Sequence, residues 1–234
     1  MSFKPLTQDK ESLQALAFAM RQDKGSDITQ DELKEAMMDL SAVSPRVRSC
    51  CDIDYTKLTA RFSNWYEIGT EKDIEEWTNS SVWTANSLIP TRFLRGGDYV
   101  FSNEIGDPTF RGAFRELAKD ISKNAKDSVV RTVYTSLAKG TGDKWNPADV
   151  LAIKKSKMGS IVGQMESFKK GKPSYMSGST ASSASTKSLK LVDDMGMLYQ
   201  YNQFVDSVFK SRDCIPISLK KVSATSREIK AQTT

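Results

Sequence analysis

Residues 146–154 read NPADVLAIK, and this stretch decides how the rest of the chain is interpreted. The apolar run 150–153 is short and is followed by lysines, a pattern typical of a buried strand. Asp149 stands directly before that run, so the sequence predicts a carboxylate at the start of a strand.

A second stretch, residues 214–222, reads CIPISLKKV and is the last candidate strand of the chain. Side chains alternate between the two faces of a strand, so Ser218 and Lys220 are predicted to share one face. Pro216 indicates a strand end or an edge position. If the two strands are neighbours in a sheet, Asp149, Ser218 and Lys220 converge at its surface.

The order of the helix and strand patterns along the chain predicts an α/β or α+β fold. In this fold an N-terminal helical layer precedes a small mixed sheet flanked by helices. We predict two regions: a helical region 1–95, and a region 96–234 that contains a Ser-rich loop at 171–188. Local sequence patterns predict the element boundaries. A helix over 8–24 ends at Gly25, and a second helix begins at a Thr29–Glu32 capping box and is closed by Pro45. An aromatic segment at 55–65, a strand at 99–101 and a helix that begins at Asp107-Pro108 follow.

Two further segments have apolar patterns. Residues 129–134 (VVRTVY) are rich in β-branched side chains and fit a strand, with a helix as the alternative. The segment after the Ser-rich loop predicts a helix whose apolar stripe is formed by Leu191, Val192, Met195, Leu198, Tyr199, Val205, Val208 and Phe209.

Histidine is absent from the chain, and there are three cysteines, of which Cys50 and Cys51 are adjacent. These facts exclude Ser-His-Asp and Cys-His catalysis, HExxH metalloproteases and zinc sites anchored by histidine. No CxxC pair is present, so reduced structural thiols are expected. Any chemistry must come from carboxylates, Lys, Ser, Tyr or backbone amides, and oxygen ligands of this kind suit Mg²⁺.

The net charge of +5 and the pI of about 9.0 favour anionic partners, nucleic acid first. A run of lysines near the candidate strands is consistent with contact to a phosphate backbone, while a solvated surface is the alternative. The residues concerned are Lys144, Lys154, Lys155, Lys157, Lys169 and Lys170. No apolar run long enough for a bilayer and no signal peptide is found, so we expect no membrane association and a protein that stays in the compartment where it is made.

The segments 146–150 (NPADV) and 217–220 (ISLK) together resemble the split catalytic core of the PD-(D/E)XK nuclease superfamily, which includes many restriction and phage-encoded endonucleases. In that superfamily an Asp opens one strand and an acid-x-Lys tripeptide lies on the next. The resemblance implies that Asp149 is the metal carboxylate, that Lys220 is the superfamily lysine, and that Lys144 belongs to a loop near the substrate. It also implies Mg²⁺ or Mn²⁺ as cofactor, DNA as partner, and a location in the host-cell cytoplasm or in a virion.

Ser218 departs from the superfamily pattern, since it stands where Glu or Asp is usual. A hydroxyl is a poorer Mg²⁺ ligand than a carboxylate, so a second acid is expected from elsewhere in the chain. Glu116 is our candidate for both a metal ligand and a catalytic acid, with Asp193 and Asp194 in reserve. A helical insertion over 189–210 would separate the two strands.

The favoured interpretation is a metal-dependent endonuclease of a phage or mobile element, and the sequence also allows several alternatives. Structurally, Asp149 can cap a turn, and Ser218 and Lys220 can form the solvent face of an edge strand. Functionally, the chief alternative is a non-enzymatic protein on a degenerate nuclease-like scaffold. Such a protein would be a viral structural or assembly component, with a homo-oligomer or particle components as partners, or a nucleic-acid-binding module. A third possibility is an inhibitor or adaptor that binds a host protein through the helical layer.

Overall fold

The computed structural model describes residues 7–39, 41, 43–53, 71–91, 94, 97–103, 112–139, 149–169 and 187–218. Within these ranges the chain forms eight helices and four strands, which confirms the predicted mixed helix and strand class. Its internal contacts define two compact units, one of Met1–Asn103 with Ser218–Thr234 and one of Glu104–Ile217. None of the helices in the described part of the chain combines the length and the apolar character required to span a bilayer.

The first unit contains four helices and two strands among its described residues. In chain order they are α1 (Thr7–Lys24), α2 (Gln30–Met38), α3 (Pro45–Ser49), β1 (Cys51–Asp52), α4 (Glu71–Leu88) and β2 (Tyr99–Ser102). The two strands pair in parallel, with Cys51 opposite Phe101. Phe18 of α1 is fully buried and stacks on Phe101, with ring centroids 5.2 Å apart. The described part of this unit is therefore mostly helical and contains a short parallel strand pair.

The predicted end of α1 and the predicted start of α2 are confirmed. Gly25 has a φ of +70°, a conformation that glycine adopts without steric cost, and its N–H donates to the carbonyl of Arg21. Thr29 forms the predicted capping box, because its hydroxyl accepts from the backbone N–H of Glu32 and the Glu32 carboxylate accepts from the backbone N–H of Thr29.

Pro45 has a different role from the one predicted. It does not close α2, which ends at Met38, but occupies the first turn of α3. Proline lacks a backbone N–H and its φ already suits a helix, so it is favoured at a helix start. The hydroxyl of Ser44 caps the same helix by accepting from the N–H of Val47 at 3.1 Å.

Replacing Thr29 by alanine is expected to lower the free energy of unfolding by about 1 kcal/mol, because the first turn of α2 loses its capping acceptor. Urea denaturation measures this change. Thr132→Ala is the matched control, since that hydroxyl is exposed and bonds only within its own helix. Equal effects of the two substitutions would contradict the capping role.

The second unit also contains four helices and two strands among its described residues. In chain order they are α5 (Gly112–Asn124), α6 (Ser128–Lys139), β3 (Val150–Lys154), α7 (Lys155–Lys169), α8 (Lys187–Lys210) and β4 (Cys214–Ile217). Their apolar faces form one buried cluster that includes Leu117, Ile153, Phe168 and Tyr201. The ring of Phe168 meets the ring of Tyr201 edge-on, with centroids 5.5 Å apart. The predicted helix start at Asp107-Pro108 and the aromatic segment 55–65 lie outside the described residues.

Residues 129–134 are helical, so the strand interpretation of this segment is wrong. The Asp127 carboxylate caps α6 by accepting from the N–H groups of Val129 and Val130. Val130, Tyr134 and Leu137 pack against the buried cluster, and their spacing of four and three residues is that of one helix face. This packing outweighs the β-propensity of the valines.

Strands β3 and β4 are antiparallel partners, as the site prediction requires. Val150 lies opposite Ile217 and Ile153 lies opposite Cys214. Residues 150–153 are all buried, as expected for a strand in the core. Pro216 is exposed, and because it cannot donate a backbone hydrogen bond it fits a strand that pairs on one side only.

Candidate metal and nucleic-acid site

Asp149 lies at the end of the β3–β4 pair. Its backbone N–H donates to the carbonyl of Ile217 at 3.0 Å, which extends the ladder one step beyond the strands. The Asp149 side chain is half-buried, and Ser218, the residue after Ile217, is exposed. The pairing therefore brings the ends of the two predicted segments together, although they are far apart along the chain.

The other predicted site residues are distributed as follows. Glu116 lies on α5 with a half-exposed side chain, and its carboxylate is 3.5 Å from the ammonium of Lys119, one turn away. Lys220, the predicted catalytic lysine, lies outside the described residues, as do Lys144 and Lys170. Lys169 is the last residue of α7.

Within the described residues, no group of three or more His, Cys, Asp or Glu side chains is arranged to hold a metal ion. Asp149 and Glu116 are thus not members of a ready-made cluster. Magnesium sites in proteins often use only one or two carboxylates, with water and substrate phosphates as the remaining ligands. An open site of this kind would need only Asp149 and one further acid from the chain.

Lys154 lies at the opposite end of the strand pair and has a partner that the sequence did not indicate. Its ammonium is 2.9 Å from the Asp213 carboxylate, and its backbone N–H donates to the Asp213 carbonyl at 2.9 Å. The two residues are 59 positions apart, so only the register of β3 and β4 brings them together. Lys155 and Lys157, in the first turn of α7, have exposed side chains.

The ion pair predicts a specific pH dependence of stability. The hydrogen bond from Lys154 holds the pKa of Asp213 below its ordinary value, with a smaller opposing effect of burial. A lowered folded-state pKa contributes stability above the unfolded pKa, about 3.9, and that contribution disappears as the pH falls through the folded pKa. The free energies of unfolding of wild type and Asp213→Asn, measured in urea from about pH 6 down to the lowest pH at which both fold, should differ by an amount that decreases as the pH falls. A difference that stays constant would contradict the assignment.

All three cysteines are buried and none is in a disulfide. Burial raises the pKa of the Cys214 thiol far above its ordinary value, because the thiolate would lose its hydration. A thiol in this environment resists ionisation and is a poor nucleophile. Cys214 therefore serves packing at the start of β4.

No family model, curated protein or solved structure matches this chain. The functional interpretation accordingly rests on the geometry of the strand pair and on the resemblance of its two flanking segments.

Proposed function

We propose that the protein is a metal-dependent endonuclease that cleaves DNA phosphodiester bonds, with Asp149 as a metal ligand and Lys220 as the catalytic lysine. The observation that carries the proposal is the antiparallel pairing of β3 and β4, with the Asp149 N–H bonded to the Ile217 carbonyl. This pairing supports the split-core resemblance, because the resemblance requires the strand that Asp149 opens to be a neighbour of the strand that precedes Ser218 and Lys220.

Ser218 follows Ile217 directly, and its side chain is exposed. Residues two apart in a strand point to the same side, which is the basis for assigning Ser218 and Lys220 to one site. Lys220 itself lies outside the described residues, and its action on a phosphate held by Asp149 is part of the proposal.

Each residue then has a defined role. A divalent ion held by Asp149 would polarise the phosphate and lower the pKa of a bound water. Lys220 orients the attacking water or stabilises the negative charge that develops on the phosphate. Ser218 donates a hydrogen bond to the same group. Glu116 is the proposed second acid; it belongs to the same unit as Asp149, and its side chain is 47% exposed.

Exposed lysines at the start of α7 supply the DNA-binding charge in this proposal. Lys155 and Lys157 follow directly after β3, so they belong to the same unit as Asp149. Contacts of this type are independent of sequence and weaken steeply as salt rises. Lys154 contributes less, because its ammonium is already paired with Asp213.

A cleavage assay with a binding readout tests the proposal. Purified protein is incubated with supercoiled plasmid and with linear DNA in Mg²⁺, in Mn²⁺ and in EDTA, and the same samples are run in a gel-shift assay. We expect nicking or linearisation of the plasmid with either metal and none in EDTA. Intact DNA under all conditions, with no change in mobility, would contradict it.

A second candidate is a protein that binds nucleic acid without cleaving it, as a component of viral assembly. It is favoured by the observation that no three-acid cluster accompanies Asp149 within the described residues, and by Ser218 in place of an acid. In the same assay, a salt-sensitive shift without cleavage would support this candidate over the nuclease.

A further inference from the structure

A basic surface lies at the end of the β3–β4 pair that is opposite Asp149. It consists of four cationic residues with exposed side chains, Lys155, Lys157, Lys210 and Arg212. The first two open α7, and the other two stand at the end of α8 and in the turn before β4. All four belong to the second unit.

The strand register brings these two segments together. The backbone N–H of Lys154 donates to the carbonyl of Asp213 at 2.9 Å, which joins the end of β3 to the turn before β4. The hydrogen bond from Lys154 is the main cause of the lowered pKa of Asp213, and the nearby charge of Lys157 adds to it. The cations that open α7 therefore lie beside those that follow α8, although the two segments are far apart in the sequence.

The surface keeps a positive charge after its acidic partners are counted. Asp213 pairs with Lys154 at 2.9 Å, and Asp206 pairs with Lys210 at 2.6 Å. Residues 154–157 and 210–213, with Asp206 added, contain five cations and two aspartates, which leaves a net charge of +3 over these residues. A concentration of like charge of this kind attracts a polyanion.

The residues between the cations favour nucleic acid over protein as the partner. They include the exposed Ser156 and Ser211, and residues 154–157 and 210–213 contain no exposed large apolar side chain. A stable protein interface has an apolar core, whereas surfaces that bind DNA are more polar and more positively charged. Lysine, arginine and serine are side chains that commonly contact phosphate oxygens.

The distance from Asp149 limits what this surface can do. Lys154 is five positions after Asp149, which corresponds to about 17 Å at the rise of an antiparallel strand. Phosphates of one DNA strand are spaced about 3.4 Å apart along the duplex axis, so about five of them fit in this length. The basic surface can therefore bind backbone away from the scissile bond and does not reach the reacting phosphate.

We propose that the basic surface anchors the phosphate backbone of double-stranded DNA about five base pairs from the bond that is cleaved. The position of that bond rests on the proposed function, whereas the binding itself does not require cleavage. An interaction that is equally strong in the ground state and in the transition state changes KM and leaves kcat unchanged. The residues of the basic surface are thus positioning residues, and their loss affects KM.

Fluorescence anisotropy with a short labelled duplex in EDTA measures binding without cleavage. Each phosphate contact contributes about 0.9 to the slope of log Kd against log salt. We expect Lys155→Ala/Lys157→Ala to lower this slope by about two and Arg212→Gly to lower it by about one. Lys126→Ala/Lys139→Ala is the matched control, since these exposed lysines lie at the two ends of α6 and the same charge is removed. It should leave the slope unchanged.

Arg212→Gly separates the loss of binding from a loss of folding. Arg212 has a φ of +57°, a conformation that glycine adopts without steric cost. The variant should therefore unfold at the same urea concentration as wild type or at a higher one, while it binds the duplex more weakly.

Plasmid cleavage supplies a second measurement. Lys155→Ala/Lys157→Ala should raise KM about fivefold or more and leave kcat within about twofold of wild type, as expected for lost uniform binding. A fall in kcat with an unchanged KM would contradict the anchoring role.

The anchoring role is also contradicted if both variants of the basic surface keep the wild-type slope, or if the control variant loses as much as Lys155→Ala/Lys157→Ala. It is overturned as well if poly-L-glutamate of equal charge competes as strongly as unlabelled duplex, because the surface would then bind negative charge of any kind. Duplex binding that needs the basic surface, with no cleavage, would support the anchor and contradict the nuclease proposal alone.

Discussion

Replacing Asp149 by asparagine is expected to reduce the rate of Mg²⁺-dependent DNA cleavage by about a hundredfold or more. The substitution keeps the size of the side chain but removes the negative charge that would hold the divalent ion. Metal stabilisation of a reacting phosphate contributes several kcal/mol, and about 3 kcal/mol corresponds to a hundredfold in rate. Initial rates of plasmid nicking at saturating Mg²⁺ measure the effect.

Asp206→Asn provides the matched control for this prediction. Asp206 lies on α8 with its side chain 52% exposed and makes a surface ion pair with Lys210, four residues later. The same change of charge there should leave the nicking rate within about twofold of wild type, because exposed pairs contribute little. If Asp149→Asn cleaves as fast as Asp206→Asn, Asp149 is not a metal ligand.

Replacing Phe168 by alanine is expected to lower the free energy of unfolding by about 3–5 kcal/mol. Phe168 of α7 is 1% exposed and meets the rings of Tyr201 and Phe204 of α8, with centroids 5.5 and 6.1 Å away. Its removal leaves a cavity and also breaks an edge-on aromatic pair, an interaction of about 0.5–1.5 kcal/mol. Urea denaturation, followed by far-UV circular dichroism, measures the loss.

Tyr199→Ala is the control for the core substitution, since Tyr199 lies on the same helix as Tyr201 but is 65% exposed. We expect a change of less than about 0.5 kcal/mol for this variant. A loss of similar size in both variants would mean that the packing of α7 on α8 does not hold the second unit together.

Elements with strong local signals were predictable from the sequence. Three such elements are the capping box at Thr29, the glycine that ends α1 and the buried run 150–153. Each is determined by residues only a few positions away in the sequence. The site prediction required β3 and β4 to be neighbours, and the structure shows them paired. The resemblance to a nuclease core, by contrast, stays a prediction.

Errors arose where tertiary packing decided the outcome. The valines of 129–134 favour a strand by propensity. The segment is nevertheless helical, because its apolar residues are spaced along one helix face that packs against the buried cluster. The stripe predicted for α8 included Met195 and Tyr199, which are exposed, and omitted Tyr201, which is fully buried. The sequence of this 24-residue helix does not indicate which of its apolar residues face the core.

The site was predictable only in part for a related reason. Asp149 stands out because it directly precedes an apolar run, whereas Asp213 acquires its partner Lys154 only through the strand register. The sequence did not indicate Arg212 either, because its place beside the lysines that open α7 depends on the pairing of β3 with β4.

The nicking rate of the double variant Asp149→Asn/Lys220→Ala, compared with the two single variants, tests the nuclease proposal most directly. Residues that act on the same phosphate as one unit have strongly non-additive effects. We therefore predict that each single variant loses about a hundredfold or more and that the double variant is scarcely slower than either. Losses that multiply in the double variant, or a wild-type protein that leaves DNA intact with Mg²⁺ and with Mn²⁺, would contradict the claim that the acid and the lysine share one site.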